Sequence, residues 1–175
     1  MSCMEETDNK CLLVGDNVSS KILRGLMGAA NMAIKSELNC RHGSVLISGN
    51  RVISSGYNQS RSKYGNRCTS CIHAEVDCIH HFVKNICRES FTGKLKSEKW
   101  KRVLNKATIY VVRVPRVNNS LEYLNYSKPC SECYKIIKGY GIKNIVYSDS
   151  DNEVAINKIS NLECSHVTKG NQRIA

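Results

Sequence analysis

The chain has 175 residues, 41% of them hydrophobic, which is enough to bury one sizeable core and too short for two independent ones. It contains no apolar run of about eighteen residues that could span a bilayer, and its N-terminus is polar and acidic where a secretory signal would be basic and then apolar. We therefore expect one cytoplasmic domain, intracellular rather than secreted and without membrane contact, whose net charge of +11 suits an anionic partner.

The ten cysteines allow two interpretations. In a secreted chain an even number would indicate a disulfide framework, whereas in a reducing compartment cysteines are more often buried apolar residues, metal ligands or catalytic thiols. Because the N-terminus does not resemble a signal peptide, we predict that most cysteines outside the motifs described below are plain thiols. These are Cys3, Cys11, Cys40, Cys78, Cys87 and Cys164.

The first elements after a polar leader (1–18) are a helix and a hairpin. Apolar residues from Ile22 to Ala33 recur every three or four positions, which predicts a helix over about 20–38. Two β-rich runs follow, and the Gly49-Asn50 pair between them tolerates positive φ, so they are expected to form a hairpin. The runs are Gly43 to Ser48 and Arg51 to Tyr57.

The middle of the chain is polar and basic apart from one helix. Residues 58–69 have no apolar periodicity and are predicted to be a loop, after which a helix begins near His73. A basic insertion follows over about 88–106, helical in part near Trp100. From Lys84 to Lys106 the chain has eight Lys or Arg residues and two Glu residues, and so carries six of the eleven net positive charges.

The last third of the domain predicts three more elements and completes the fold. Thr108 to Val114 suits a strand covered on both faces, and a loop (115–127) leads to a helix that can start at Pro129. Asn144 to Tyr147 and Glu153 to Ile159 are then predicted strands, antiparallel because a turn of about five residues joins them. We predict an α/β fold of three layers, α/β/α, with a single mixed five-stranded sheet, in a domain over 19–160 followed by a tail (161–175).

Two short motifs carry the chemistry: His73-Ala74-Glu75 and Pro129-Cys130-Ser131-Glu132-Cys133. Either one alone is a weak signal, but in this order, each opening a predicted helix, they match the zinc-deaminase signature. A catalytic zinc takes three protein ligands and keeps a fourth position open, and one imidazole with two thiolates supplies such a set. We therefore predict that His73, Cys130 and Cys133 bind Zn²⁺.

The chain resembles the cytidine and deoxycytidylate deaminase superfamily in these motifs and in its first hairpin, from Arg41 to Ile47 and from Ser55 to Asn58. The resemblance continues from Lys128 through Ser148 and implies the cytidine-deaminase-like fold. It also implies hydrolytic deamination, in which Glu75 takes a proton from a zinc-activated water and delivers protons to the ring nitrogen and the departing amine. The antiparallel last strand places the chain nearer the cytidine deaminase topology than the deoxycytidylate one, where a helix intervenes.

By position in the resemblance, Asn58 corresponds to the asparagine that contacts the sugar or base, and the backbone at Ala74 lies where the pyrimidine is recognised. Three loop cations lie between Asn58 and His73, where a 5′-phosphate could be met: Arg61, Lys63 and Arg67. Cys68 and Cys71 could bind a second zinc, or be loop thiols.

Three functions from different classes are compatible with the sequence. The first is an enzyme acting on a free cytosine nucleoside or nucleotide, for example deoxycytidylate. The second is an editing enzyme acting on RNA or single-stranded DNA. The third is a catalytically silent, zinc-stabilised interaction protein. We favour the first, with nucleic acid as a less favoured partner and a homo-oligomer as the expected assembly. The third is least favoured because a silent protein has no need of Glu75 beside all three ligands.

Overall fold

The computed structural model describes residues 18–60, 71–116, 124–149 and 153–166, together with the backbone of 63–64 and 67–68. The leader up to residue 17 and the tail beyond 166 lie outside the described residues, so the predicted domain limits stay predictions. Cys3 and Cys11 lie there too, whereas Cys40, Cys78, Cys87 and Cys164 are free thiols as predicted. Among the described helices, none combines the length and apolarity needed to cross a membrane.

A single mixed five-stranded sheet forms the centre of the molecule. Its strands are β1 (Arg41–Ser48), β2 (Arg51–Tyr57), β5 (Ala107–Val114), β6 (Asn144–Ser148) and β7 (Val154–Lys158). Their order in the sheet is β2-β1-β5-β6-β7. β5 runs antiparallel to β1 and parallel to β6, and β7 returns antiparallel to β6 as the short turn predicted. Two further strands, β3 (Lys63–Tyr64) and β4 (Arg67–Cys68), form a small separate hairpin inside the segment predicted to be a loop.

Helices cover both faces of the sheet and give the predicted three layers. On one face lies α1 (Ser20–Ala33), whose small and apolar side chains pack on Tyr110 and Val112 of β5. On the other face the core contains side chains from α2 (Ala74–His81), α3 (Glu98–Asn105) and α4 (Ser131–Gly139). β5 is buried on both faces because Ile109 and Val111 face the second layer while Tyr110 and Val112 face the first.

Two helices differ from their predicted limits. α1 ends at Ala33 rather than near residue 38, because the Ser36 hydroxyl donates to the Asn58 carbonyl at 2.7 Å and accepts from the Leu38 amide at 3.3 Å, which competes with further helical bonding. α4 begins at Ser131, not at Pro129. Cys130 has the extended conformation of an N-cap residue, so proline lies one residue before the cap.

Two glycines of α1 provide a matched test of its packing. A Cβ at Gly25 would lie 2.4 Å from ring atoms of Tyr110, whose side chain is fully buried, whereas a Cβ at Gly28 would lie 3.5 Å from Val45, an ordinary contact. We predict that Gly25→Ala destabilises the protein by about 1–3 kcal/mol through overpacking. Gly28→Ala is expected to stabilise it by about 0.5–1 kcal/mol, since alanine is the better helix former. Urea unfolding measures both, and equal effects of the two substitutions would contradict this packing.

Candidate active site

The three predicted metal ligands meet where the N-termini of α2 and α4 converge. His73 is the N-cap residue of α2 and Cys130 that of α4, both in extended conformation, and Cys133 lies three residues after Cys130 in the first turn. N-cap and third helical positions face each other, so the two sulfurs lie on the same side of α4. The positive ends of both helix dipoles point at this site and favour thiolates there.

The distances between the donor atoms fit a zinc ion. His73 Nδ1 lies 3.2 Å from Cys133 Sγ and 3.4 Å from Cys130 Sγ, and the three donors lie within 4.8 Å of one another. Tetrahedral zinc with bonds of roughly 2.0 Å to nitrogen and 2.3 Å to sulfur separates such donors by about 3.5 Å. His73, Cys130 and Cys133 therefore fit the three protein ligands of a catalytic zinc, as predicted, and Nδ1 is the imidazole nitrogen turned toward the sulfurs.

The segment that leads to Cys130 is anchored by two buried serines, Ser127 three residues before the ligand and Ser148 at the end of β6. Ser127 Oγ donates to the Val111 carbonyl at 2.9 Å and accepts from the Ser148 amide at 3.0 Å. The Ser127 amide in turn donates to the Ser148 carbonyl at 2.8 Å. Because the two strands are parallel, their carboxyl ends lie side by side, and the serines fix the segment leading to α4 at that edge.

His73 is positioned by the end of β2 through Gln59. Gln59 and Ile72 exchange two backbone hydrogen bonds, of 2.9 and 3.1 Å, immediately before the ligand. The Gln59 side chain also donates to Asp77 Oδ2 at 3.1 Å, and the Tyr57 amide donates to the same oxygen at 3.2 Å. The fully buried Asp77 carboxylate thus joins α2 to the chain segment that leads to the ligand.

Glu75 lies in the first turn of α2, beside the ligands. Its side chain is buried, and burial raises the pKa of its carboxyl group even though the charge on nearby His73 opposes this. The carboxyl group is also within hydrogen-bond reach of the Cys133 sulfur. A buried carboxyl group with a raised pKa, placed beside the metal ligands, is suited to both accepting and releasing a proton.

The pKa values of the three ligands are shifted in different directions. A hydrogen bond from Cys133, against the opposing effect of burial, lowers the pKa of Cys130 to about 4, whereas the pKa of Cys133 is raised by its hydrogen bond with Cys130 and by burial. Burial would lower the pKa of His73, but hydrogen bonds with Cys130 and Cys71 outweigh it and the pKa is raised. Zinc must therefore displace protons from His73 and Cys133, so its affinity falls as the pH is lowered.

The predicted substrate residues have different surroundings. Ala74 is fully buried at the first helical position of α2, and Asn58 is buried at the end of β2. The Asn58 side chain accepts from the His42 amide at 2.8 Å and donates to the Cys40 carbonyl at 2.5 Å, which leaves one N–H and one acceptor position for a ligand. The side chains of the predicted phosphate-binding residues Arg61, Lys63 and Arg67 lie outside the described residues.

The second predicted zinc site stays a prediction, because the Cys68 side chain also lies outside the described residues. Cys71 is described, and its sulfur is within hydrogen-bond reach of His73. Among the described side chains, the one group of three or more potential ligands with metal-binding spacing is His73, Cys130 and Cys133.

Two neighbours of the site could not be found from the sequence patterns. His42 is half-buried at the start of β1, where its charge would interact with His73 and Cys130, and burial lowers its pKa to about 4, so it is neutral at physiological pH. The chain after β7 returns to the site, since the Ser131 amide at the start of α4 donates to the His166 carbonyl at 2.9 Å. Neither carries a motif, and each is placed by long-range packing.

The sequence matches a family model over residues 17–149, described as the cytidine and deoxycytidylate deaminase zinc-binding region. The chain belongs to this family. The match covers the hairpin and both motifs of this zinc-binding deaminase, in agreement with the ligand geometry. Family membership implies hydrolase activity. A comparison with curated proteins gave no match.

Solved structures with a similar fold include several deaminases. Cytidine deaminase from Burkholderia pseudomallei aligns over 83% of this chain and 98% of its own, with 16% identity and a TM-score of 0.54, which supports the shared fold. The dCMP deaminase of cyanophage S-TIM5 aligns over 75% and 85%, with 14% identity and a TM-score of 0.46. Guanine deaminase from Bacillus subtilis aligns over 78% and 65%, with 18% identity and a TM-score of 0.43.

The metal assignment predicts about one zinc per chain in the purified protein, because His73, Cys130 and Cys133 together bind a single ion. Replacing Cys133 by serine should remove most of it, because the site then lacks a thiolate ligand. Cys87→Ser is the matched control, since Cys87 is a half-buried thiol that packs at the edge of the core near the end of α2. Metal analysis after dialysis measures the zinc content. A fully loaded Cys133→Ser variant would show that the assignment is wrong.

Proposed function

We propose that this deaminase converts a cytosine nucleoside or nucleotide, such as dCMP, to the uracil form with release of ammonia. The observation that carries the proposal is the position of Glu75. A buried carboxyl group with a raised pKa lies beside three potential metal ligands, and no fourth protein ligand joins them among the described side chains. Such an arrangement serves hydrolysis at a ring carbon, whereas a purely structural zinc site has four protein ligands.

In the proposed mechanism Glu75 moves the protons. Zinc, when bound, supplies a water molecule of lowered pKa as the nucleophile. Glu75 accepts a proton from that water as its oxygen bonds to the ring carbon, and delivers it to the adjacent ring nitrogen. The second proton of that water passes from the newly formed hydroxyl group through Glu75 to the exocyclic amine, the carbon–nitrogen bond breaks, the hydroxyl oxygen becomes the carbonyl oxygen, and ammonia leaves. The carboxyl group ends in the state in which it began.

We assign the recognition of the substrate to the elements beside the ligands. The free N–H and acceptor position of the Asn58 side chain would bind the sugar or base, and the backbone amide of Ala74, at the first helical position of α2, would bind the pyrimidine. His42 shares two hydrogen bonds with Asn58, through its amide at 2.8 Å and its carbonyl at 3.1 Å, so the two residues form one unit at this edge.

A phosphorylated substrate is favoured by a described cation near this edge and by the three cations predicted from the sequence between Asn58 and His73. The described cation is the half-buried Arg113 at the end of β5, where its charge contributes to lowering the pKa of His42. The cations that could instead guide a polynucleotide are concentrated at the other end of the sheet, as described below. We therefore favour a free nucleotide over a nucleic acid at the zinc site; homo-oligomerisation and a cytoplasmic location stay predictions.

The proton-carrier role predicts that Glu75→Gln retains zinc and fold but loses activity. The amide preserves the shape of the side chain and cannot accept the proton, and positioned acid–base groups contribute on the order of 10²- to 10⁴-fold. Deamination is measured as ammonia release, and zinc content is measured in parallel.

Glu132→Gln is the matched control. Glu132 lies between the two cysteine ligands but pairs with Lys135 at 2.7 Å, so the same chemical change there should leave the rate within about twofold of wild type. A Glu75→Gln enzyme with wild-type kcat would refute the mechanism.

The substrate assignment predicts activity on free cytosine compounds. Ammonia release would be compared for cytidine, deoxycytidine, their monophosphates, guanine and a cytosine-containing oligonucleotide. We expect the highest kcat/KM for a monophosphate, with a KM that rises when Arg113 is replaced by glutamine because a charge-assisted contact to phosphate is lost. Activity confined to guanine or to the oligonucleotide would overturn the choice of substrate while leaving the deaminase assignment intact.

A further inference from the structure

The topology places a row of cations at the end of the sheet opposite the zinc site. β2 begins with Arg51, Lys106 precedes β5, Lys143 precedes β6, and β7 ends with Lys158, and all four side chains are exposed. The register aligns them at one edge, since Ser48 pairs with both Arg51 and Ala107, and Asn144 pairs with both Thr108 and Lys158. We call these four residues the basic edge.

The α1 and α3 layers extend the basic edge on both faces of the sheet. Arg24 of α1 donates to the Asn50 carbonyl at 3.1 Å, in the turn next to Arg51. On α3, Lys99 and Arg102 are exposed and lie seven and four residues before Lys106, a spacing that places all three along one side of the helix. Neighbouring strands lie about 4.8 Å apart, so the row across five strands spans about 19 Å.

The acidic residues of the basic insertion do not neutralise this surface. Both oxygens of Glu89 accept backbone amides just before α3, from Lys96 at 2.7 Å and from Ser97 at 3.1 Å. Glu98 pairs with Lys101 at 2.5 Å. In the described part of the chain, no ion pair is found for the four residues of the basic edge or for Lys99, and Arg102 interacts with Glu98 only at longer range than an ion pair. Their charges therefore add over one surface.

This surface is separate from the active site. β1 and β5 are eight residues long and pair along their whole length, from Ser48 with Ala107 to Arg41 with Val114. At about 3.4 Å per residue the two ends lie about 24 Å apart. The zinc ligands lie near the second end, beside His42, so an anion held at the basic edge does not reach the metal.

We infer that the basic edge binds the phosphate backbone of a nucleic acid, RNA or DNA, independently of base sequence. A row of exposed cations without acidic partners is the electrostatic footprint of such binding.

The surface offers no base-stacking platform, because Trp100 packs edge-on against Phe82 at 5.7 Å and Lys99 covers its ring at 4.8 Å. It also lacks the aromatic anchors of a protein interface. Tyr126, the exposed aromatic residue of the described chain, adjoins Ser127 at the zinc end.

The test uses the double variant Lys106→Gln/Lys143→Gln and fluorescence anisotropy of a labelled 20-nucleotide single strand, as RNA and as DNA. Each cation at a phosphate contributes about 0.7 to the slope of log affinity against log salt, so the slope should fall by about 1.4 and the affinity at low salt by roughly tenfold or more. RNA and DNA should respond alike. Deamination of a mononucleotide should not change, because the substituted side chains lie at the far end of the sheet.

Lys35→Gln/Arg116→Gln is the matched control, since it removes the same charge from exposed residues that follow α1 and β5 at the zinc end. Its affinity for the oligonucleotide should stay close to wild type. An equal loss of oligonucleotide affinity in both variants would overturn the proposal, because net charge alone would then explain binding. Absence of binding by the wild-type protein would refute the proposal outright. Competition by poly-glutamate as strong as by an oligonucleotide of equal charge would overturn it in favour of an acidic protein partner.

Discussion

The meeting of two helix N-termini at one edge of the sheet is the constraint on which the active site depends. A thiolate pair, an imidazole and a carboxyl group must be kept close together and mostly out of water, where each charge is costly unless it is compensated. The amides of α2 and α4 supply part of that compensation, and a cation bound between them would supply the rest. The parallel pairing of β5 with β6 makes this possible, because it brings the start of α4 to the same edge as the start of α2.

Local patterns predicted most of the described fold and the three residues that could bind zinc. Alternation, turn residues and helical spacing indicated the first hairpin, the buried β5 and the antiparallel β7, and the order of the two motifs indicated the ligands. Among the described helices and strands, the differences from prediction are in helix limits and in the small β3–β4 hairpin. These depend on competition that no local pattern contains, such as the Ser36 hydroxyl bonding to Asn58, which is 22 residues away.

The parts that hold the site together could not be predicted. Asp77, Gln59 and the Ser127–Ser148 pair contact groups far away in sequence, and serine, glutamine or aspartate at such positions is ordinary on a protein surface. The hydrogen-bond partners of the Asn58 side chain could likewise not be predicted from the sequence. One acceptor and one donor position of its amide bind the backbone of residues 42 and 40, so the side chain also shapes the edge at which a substrate would be received.

The hydrogen bond between Ser131 and His166 connects the end of the described chain to the metal site. The amide that it occupies belongs to the first turn of α4, within one residue of a metal ligand. Release of residues 162–166 would return that amide to water and uncover Leu162, which is buried in the core beside Ile159. Opening of this segment and loosening of the cysteine ligands are therefore thermodynamically linked, so occupancy of the metal site should slow proton exchange at an amide that touches neither metal nor substrate.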